Sequence, residues 1–206
     1  MKTLKIGLTG GIGSGKTTVA RIVSQKLRYP VYIADETASR LIRDRISIRN
    51  ALIRHFGEHV YLPDRSLYNK WLAYRIFTDP SALQAVNRIV HPEVLKDFHR
   101  WSERQQGKLI FFESAILFEA GLDAHFDYIV CITASLDTRI ARVVQRDGTT
   151  PEKVRERIRN QIDEQKKCRM SDYVICTDQG VPLVRQLFEL EKQLKKKYLW
   201  QNTENG

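Results

Sequence analysis

The stretch Gly10-Gly11-Ile12-Gly13-Ser14-Gly15-Lys16-Thr17-Thr18 follows a short apolar run, Leu4 to Leu8, and leads into Val19, Ile22, Val23 and Leu27 at helical spacing. Strand, glycine-rich turn and helix in that order form a phosphate-binding P-loop. Gly10 and Gly15 let the backbone take turns that a side chain would block, so successive N–H groups point inward at a phosphate. Lys16 adds a mobile cation, the Thr17 hydroxyl is placed to ligate Mg²⁺, and the helix N-terminus faces the phosphates. The expected nucleotide contacts are Gly11, Gly13, Ser14, Gly15, Lys16, Thr17 and Thr18.

The rest of the composition agrees with a nucleotide enzyme of α/β class. With 206 residues, 42% of them hydrophobic, the chain can bury one substantial core carrying small inserted subdomains. Its formal net charge of +10 points to anionic ligands, without separating nucleic acid from phosphorylated small molecules. Cys131, Cys168 and Cys176 show no Cys-x-x-Cys spacing and read as reduced core thiols, with no zinc site. No apolar leader precedes the first strand and no run reaches membrane-spanning length, so a cytoplasmic protein with no membrane association is expected.

Apolar patterning sets out the remaining elements. Val31-Tyr32-Ile33 reads as a second strand ending at Asp35, and buried-strand runs recur at Leu109–Phe112 (ending at Glu113), Tyr128–Ile132 and Tyr173–Cys176. Five strands with helical crossovers imply a parallel sheet flanked by helices, the P-loop NTPase fold. Residues 36–106 are mostly helical and too long for a simple crossover, so they are expected to form a subdomain that holds the second substrate. The expected division is a core of 1–35, 107–136 and 170–206, a helical acceptor-binding subdomain of 36–106, and a lid of 137–169. In the lid, Arg139, Arg142 and Arg146 share one helix face, and Thr150-Pro151 starts a second helix. Leu183, Leu187, Leu190 and Leu194 form a stripe suited to packing on the sheet, and Lys195-Lys196-Lys197 a solvated helix end.

Phosphoryl transfer needs alignment and charge neutralisation more than covalent help. Asp35, at the carboxyl edge of the sheet, is placed either to take a proton from an acceptor hydroxyl or to cap the following helix. Glu113 is placed to hold Mg²⁺ through water, to orient the acceptor, or to sit solvated at a strand end. Arginine on a closing lid supplies the remaining positive charge, and among Arg139, Arg142, Arg146, Arg155 and Arg159 the first choice is Arg146, with Arg142 as a further nucleotide contact. His91-Pro92 reads as the start of a helix, with Pro92 in its first turn. Trp71, Tyr74 and Phe77 read as core rather than as base-stacking residues. No Ser-His-Asp or Cys-His pattern is present.

With the P-loop, Asp35, His91-Pro92, Leu117-Phe118-Glu119, Gln145-Arg146-Asp147 and Arg157-Ile158-x-x-Gln161 in this order, the chain resembles the dephospho-coenzyme A kinases from Leu4 to about Leu187. The opening Leu-Thr-Gly-Gly-Ile-Gly-Ser-Gly-Lys-Thr-Thr is closer to that family than a bare P-loop. The resemblance implies ATP-dependent phosphorylation of the ribose 3′-hydroxyl of dephospho-coenzyme A, the last step of coenzyme A synthesis, with Mg²⁺ and these two small molecules as its only required partners. It makes Asp35 the base, Lys16 and Arg146 its catalytic companions, and Arg75, His91 and Glu119 acceptor-side residues. The chain departs from the family pattern at Ile33, where the first Asp of Asp-Ala-Asp stands, and at Asn69 and Ala115. Another P-loop kinase for a nucleotide or small alcohol is the alternative. A nucleic-acid-binding NTPase is the remote one, because there is no Asn-Lys-x-Asp and the arginines concentrate in the expected lid.

Overall fold

The computed structural model describes residues 3–178, 180 and 182–199, less the side chains of Phe77 and Leu199. The part of the expected core beyond residue 199 lies outside the described residues.

The elements are β1 (Leu4–Thr9), α1 (Lys16–Gln25), β2 (Val31–Ile33), α2 (Ala34–Asp44), α3 (Ile46–Phe56), α4 (Asn69–Thr78), α5 (Pro80–Glu103), β3 (Leu109–Glu113), β4 (Tyr128–Thr133), α6 (Leu136–Asp147), α7 (Pro151–Arg159), α8 (Glu164–Met170), β5 (Tyr173–Cys176) and α9 (Leu183–Leu194). A π-helical turn, Lys195–Leu199, extends α9. The sheet order is β2-β3-β1-β4-β5.

β1 is central and pairs in parallel with β3, Leu4 opposite Leu109 through Leu8 opposite Glu113, and with β4, Ile6 opposite Tyr128 through Thr9 opposite Cys131. β4 pairs in parallel with β5, ending at Thr133 opposite Cys176. These registers bring the carboxyl ends of β1, β3, β4 and β5 to one edge of the sheet. In an open α/β sheet that edge is where ligands bind. The inner strands are covered on both faces, which is why Leu109–Phe112 and Tyr128–Ile132 are unbroken apolar runs rather than alternating ones.

Two compact units divide the chain: the described residues of Met1–Tyr32 with Gly107–Gly206, and Ile33–Gln106. In the first, Val19 and Val23 of α1 and Leu187, Leu190 and Leu194 of α9 are buried with Ile6, Leu8, Ile110 and Phe112 of the sheet. Each such side chain contributes about 1.5–3 kcal/mol of burial. Tyr29 donates to Glu191 Oε1 at 2.6 Å, fixing α9 to the turn before β2. Cys131 and Cys168 are free thiols with sulfurs 3.5 Å apart, and burial pushes the Cys131 thiol well above its ordinary range.

In the second unit α5 packs against α2, α3 and α4, burying Val86, Val90, Val94 and Phe98 together with Leu41, Ile48, Leu52 and Leu72. Two expectations need correction here. His91-Pro92 does not open a helix but lies inside the 24-residue α5, which starts at Pro80 and is capped by Asp79, whose side chain accepts from the amides of Ser81 and Ala82. The second strand ends at Ile33, two residues before Asp35.

Candidate active site

The loop between β1 and α1 is shaped by its glycines. Gly10 and Gly13 have φ of +147° and +79°, which side chains rarely adopt, and a Cβ on them would meet Ile132 O at 2.0 Å and Arg139 O at 2.5 Å. The loop is therefore packed against the ends of β4 and α6 with no room for anything but backbone. Ser14 N–H donates to Gly11 O at 3.2 Å, closing the turn that starts α1. Lys16 is only 8% exposed, and its Nζ donates to Gly11 O at 3.0 Å, so the cation lies folded over the loop. Thr17 and Thr18 are exposed in the first turn of α1. Thr9 Oγ1, at the end of β1, and Ser14 Oγ, within the loop, are buried hydroxyl oxygens with no hydrogen-bond partner. A triphosphate tail matches such a place: fixed amides, a helix N-terminus and a buried ammonium.

The arginines of α6 have three different fates. Arg139 is 4% exposed, donates from Nε to Ile12 O at 2.9 Å, and pairs with Glu164 at 2.6 Å. Arg142 donates to Thr177 Oγ1 at 2.7 Å and Thr177 O at 3.1 Å, reaching Gly13 O at 3.4 Å, while Thr177 Oγ1 donates to Ser14 O at 2.8 Å. Arg146 is 62% exposed and bonded to Asp147, which also accepts from Arg157 at 2.8 Å. The two guanidinium groups hold the Asp147 carboxyl below its ordinary range. Gly11, Gly13, Ser14, Lys16 and Arg142 are thus brought together; Arg146 belongs to the exposed end of α6.

Glu113 ends β3 opposite Leu8, one residue from the end of β1, and is 4% exposed rather than solvated. Glu119 was expected on the acceptor side. Its Oε1 accepts from Lys167 Nζ at 2.7 Å and from the Ile162 amide at 3.0 Å, so it anchors the base of α8, and its Oε2 is buried without a partner. Lys167, fully buried, also donates to Ala115 O at 2.8 Å. Sequence reasoning gave Arg139 no separate role and missed Lys167 altogether; Gln161 was noted only as part of a motif.

The other expected site residues lie in the helical unit. Asp35 is exposed in the first turn of α2, whose N-cap is Ile33, so Asp35 is not a capping residue. Its negative charge suits the helix N-terminus. Arg75, on α4, pairs with Asp79 at 3.3 Å, and its Nε is buried without a partner. His91, on α5, is half-buried, and burial lowers its pKa below the ordinary value. Asp35, Arg75 and His91 therefore stand on three different helices.

Among the described residues, no helix is long and apolar enough to cross a membrane. A family model described as dephospho-CoA kinase matches residues 4–182. The dephospho-CoA kinase of Bacteroides fragilis is 37% identical over 188 residues, 91% of each chain. A crystal structure of TT1252 from Thermus thermophilus superposes with a TM-score of 0.81 at 30% identity, covering 96% of this chain and 99% of that one. The dephospho-CoA kinase from Campylobacter jejuni, at 19% identity and a TM-score of 0.64 over 94% of this chain and 98% of that one, shares the fold. On the family match and the sequence identity along most of its length, the chain belongs to the dephospho-CoA kinase family.

Proposed function

We propose that the protein transfers the terminal phosphoryl group of ATP to the ribose 3′-hydroxyl of dephospho-coenzyme A, with Lys16, Arg146 and Asp35 as the groups nearest the chemistry. The observation that carries this reading is the buried Lys16 ammonium folded over a loop of positive-φ glycines, 3.0 Å from Gly11 O. A terminal phosphate entering the loop offers that ammonium charged oxygens in place of a neutral carbonyl, a stronger acceptor. Arg142, tied to Thr177 and Gly13, borders the nucleotide. Arg146 swings from Asp147 to the phosphates, and Asp147 keeps a partner in Arg157 when it does. Residues 137–169 act in this reading as a lid, and residues 36–106 as the acceptor-binding part.

Thr17 and Glu113 fit Mg²⁺ by donor chemistry, since a hydroxyl and a carboxylate are the hard oxygen ligands that ion takes, and the buried Ser14 hydroxyl of the same loop is left without a hydrogen-bond partner of its own. Those residues would hold the ion, which when bound neutralises charge on the phosphate oxygens. Asp35 accepts the proton of the ribose hydroxyl, and Arg75 and His91 orient the acceptor. A neutral His91 at physiological pH donates or accepts a hydrogen bond without adding charge.

Asp35→Asn tests the assignment. A lost general base lowers kcat by about 10²-fold or more while the KM for ATP stays unchanged. A variant with kcat within about twofold of wild type would remove Asp35 from the mechanism.

A further inference from the structure

Ile12 is the apex of the phosphate-binding loop, and its amide, its carbonyl and its side chain are all engaged by the α6–α8 region. Its N–H donates to Gln161 Oε1 at 2.9 Å. Its carbonyl accepts from Arg139 Nε at 2.9 Å. Its side chain packs against the small cluster of Ile140, Val143 and Val154. An amide committed to a side-chain oxygen is not offered to a phosphate, so this residue holds the loop from outside instead of lining the cradle. Gln161 is itself held: the next amide, Ile162, donates to Glu119, and Glu119 pairs with the buried Lys167.

From this geometry we infer that Gln161, together with Arg139, is a positioning residue for ATP: it fixes the Ile12 backbone and so presets the glycine loop for the triphosphate. Four of the six residues from Gly10 to Gly15 are glycine, and a loop of that composition has large freedom to lose on binding a ligand. Preordering it in the free enzyme removes part of that loss from the binding step. Because the pins come from residues 139 and 161, any displacement of the α6–α8 region reaches the phosphate site through Ile12.

The inference rests on the reading that residues 10–18 bind ATP, and steady-state kinetics with both substrates separate the two. Gln161→Met keeps side-chain length but deletes the acceptor; it should raise the KM for ATP about tenfold, the loop-ordering cost returned to the binding step. The KM for dephospho-coenzyme A and the melting temperature of the free enzyme should hardly move. Gln161→Glu, which keeps an acceptor oxygen for the Ile12 amide, should restore most of the ATP affinity. An unchanged KM for ATP in Gln161→Met overturns the inference. So does a parallel rise in both KM values with a fall in melting temperature, which marks a merely structural residue, or a Gln161→Glu variant as defective as Gln161→Met. A wild-type enzyme that fails to use ATP at all overturns the underlying reading and this inference with it.

Discussion

Gly13 and Lys167 mark the two extremes of what single residues declare. Gly13 belongs to a motif whose local backbone demand, a positive φ with no side chain, is written in the residue type itself. Lys167 looks in the sequence like one of many solvated lysines, yet it is fully buried against Glu119 and Ala115, the latter 52 residues away in the chain. Ile12 depends in the same way on Arg139 and Gln161, 127 and 149 residues distant. Partners so remote leave no periodicity or spacing to read, so the phosphate cradle was legible and the braces behind it were not. Removing one member of a buried ion pair leaves an uncompensated charge, so Glu119→Ala should destabilise the fold by about 3–5 kcal/mol in denaturant unfolding. Replacing both partners, Glu119→Gln with Lys167→Met, should recover much of that loss. A Glu119→Ala variant within about 1 kcal/mol of wild type would show that the pair is not a keystone of the α8 base.

At the level of elements, strands were easier to read than helix boundaries. Strands covered on both faces require unbroken apolar runs, and Leu109–Phe112 and Tyr128–Ile132 are such runs. Strand order follows from crossovers and leaves no local mark. α5 shows the opposite difficulty. Pro92 removes one main-chain donor and crowds the carbonyl a turn earlier, a cost of about 3 kcal/mol that normally ends a helix. Here Val86, Val90, Val94 and Phe98, on both sides of the proline, are buried on the inner face of one continuous helix, and that burial outweighs the local cost. His91 is carried into the same half-buried environment and has its pKa lowered from 6.5 by desolvation. The unfolded chain then takes up a proton at a higher pH than the folded chain. The stabilising contribution is whole above about pH 6.5 and is lost as pH falls through the lower, folded value. Melting temperature should therefore drop between pH 7.5 and 5.5 more steeply in wild type than in His91→Gln. Equal slopes in the two proteins would mean that His91 stays accessible to protons in the fold.

For the molecule as a whole, the net charge of +10 said only that partners are anionic. Geometry divides that charge by purpose. Arg139 braces the loop, Arg142 ties it to the strand edge after β5, and Arg146 waits at the exposed end of α6. The residues assigned to phosphate belong to the unit containing the sheet, and Asp35, Arg75 and His91 to the helical unit. The departures at Ile33, Asn69 and Ala115 all fall outside the P-loop, which leaves the donor side intact and puts weight on acceptor selection. The most direct measurement of that selection is initial-rate phosphoryl transfer from ATP to dephospho-coenzyme A, adenosine, AMP and shikimate, with wild type and Lys16→Ala in parallel. Turnover of dephospho-coenzyme A alone, abolished in Lys16→Ala, is the predicted result; comparable turnover of any of the other acceptors, or undiminished activity without Lys16, would contradict it.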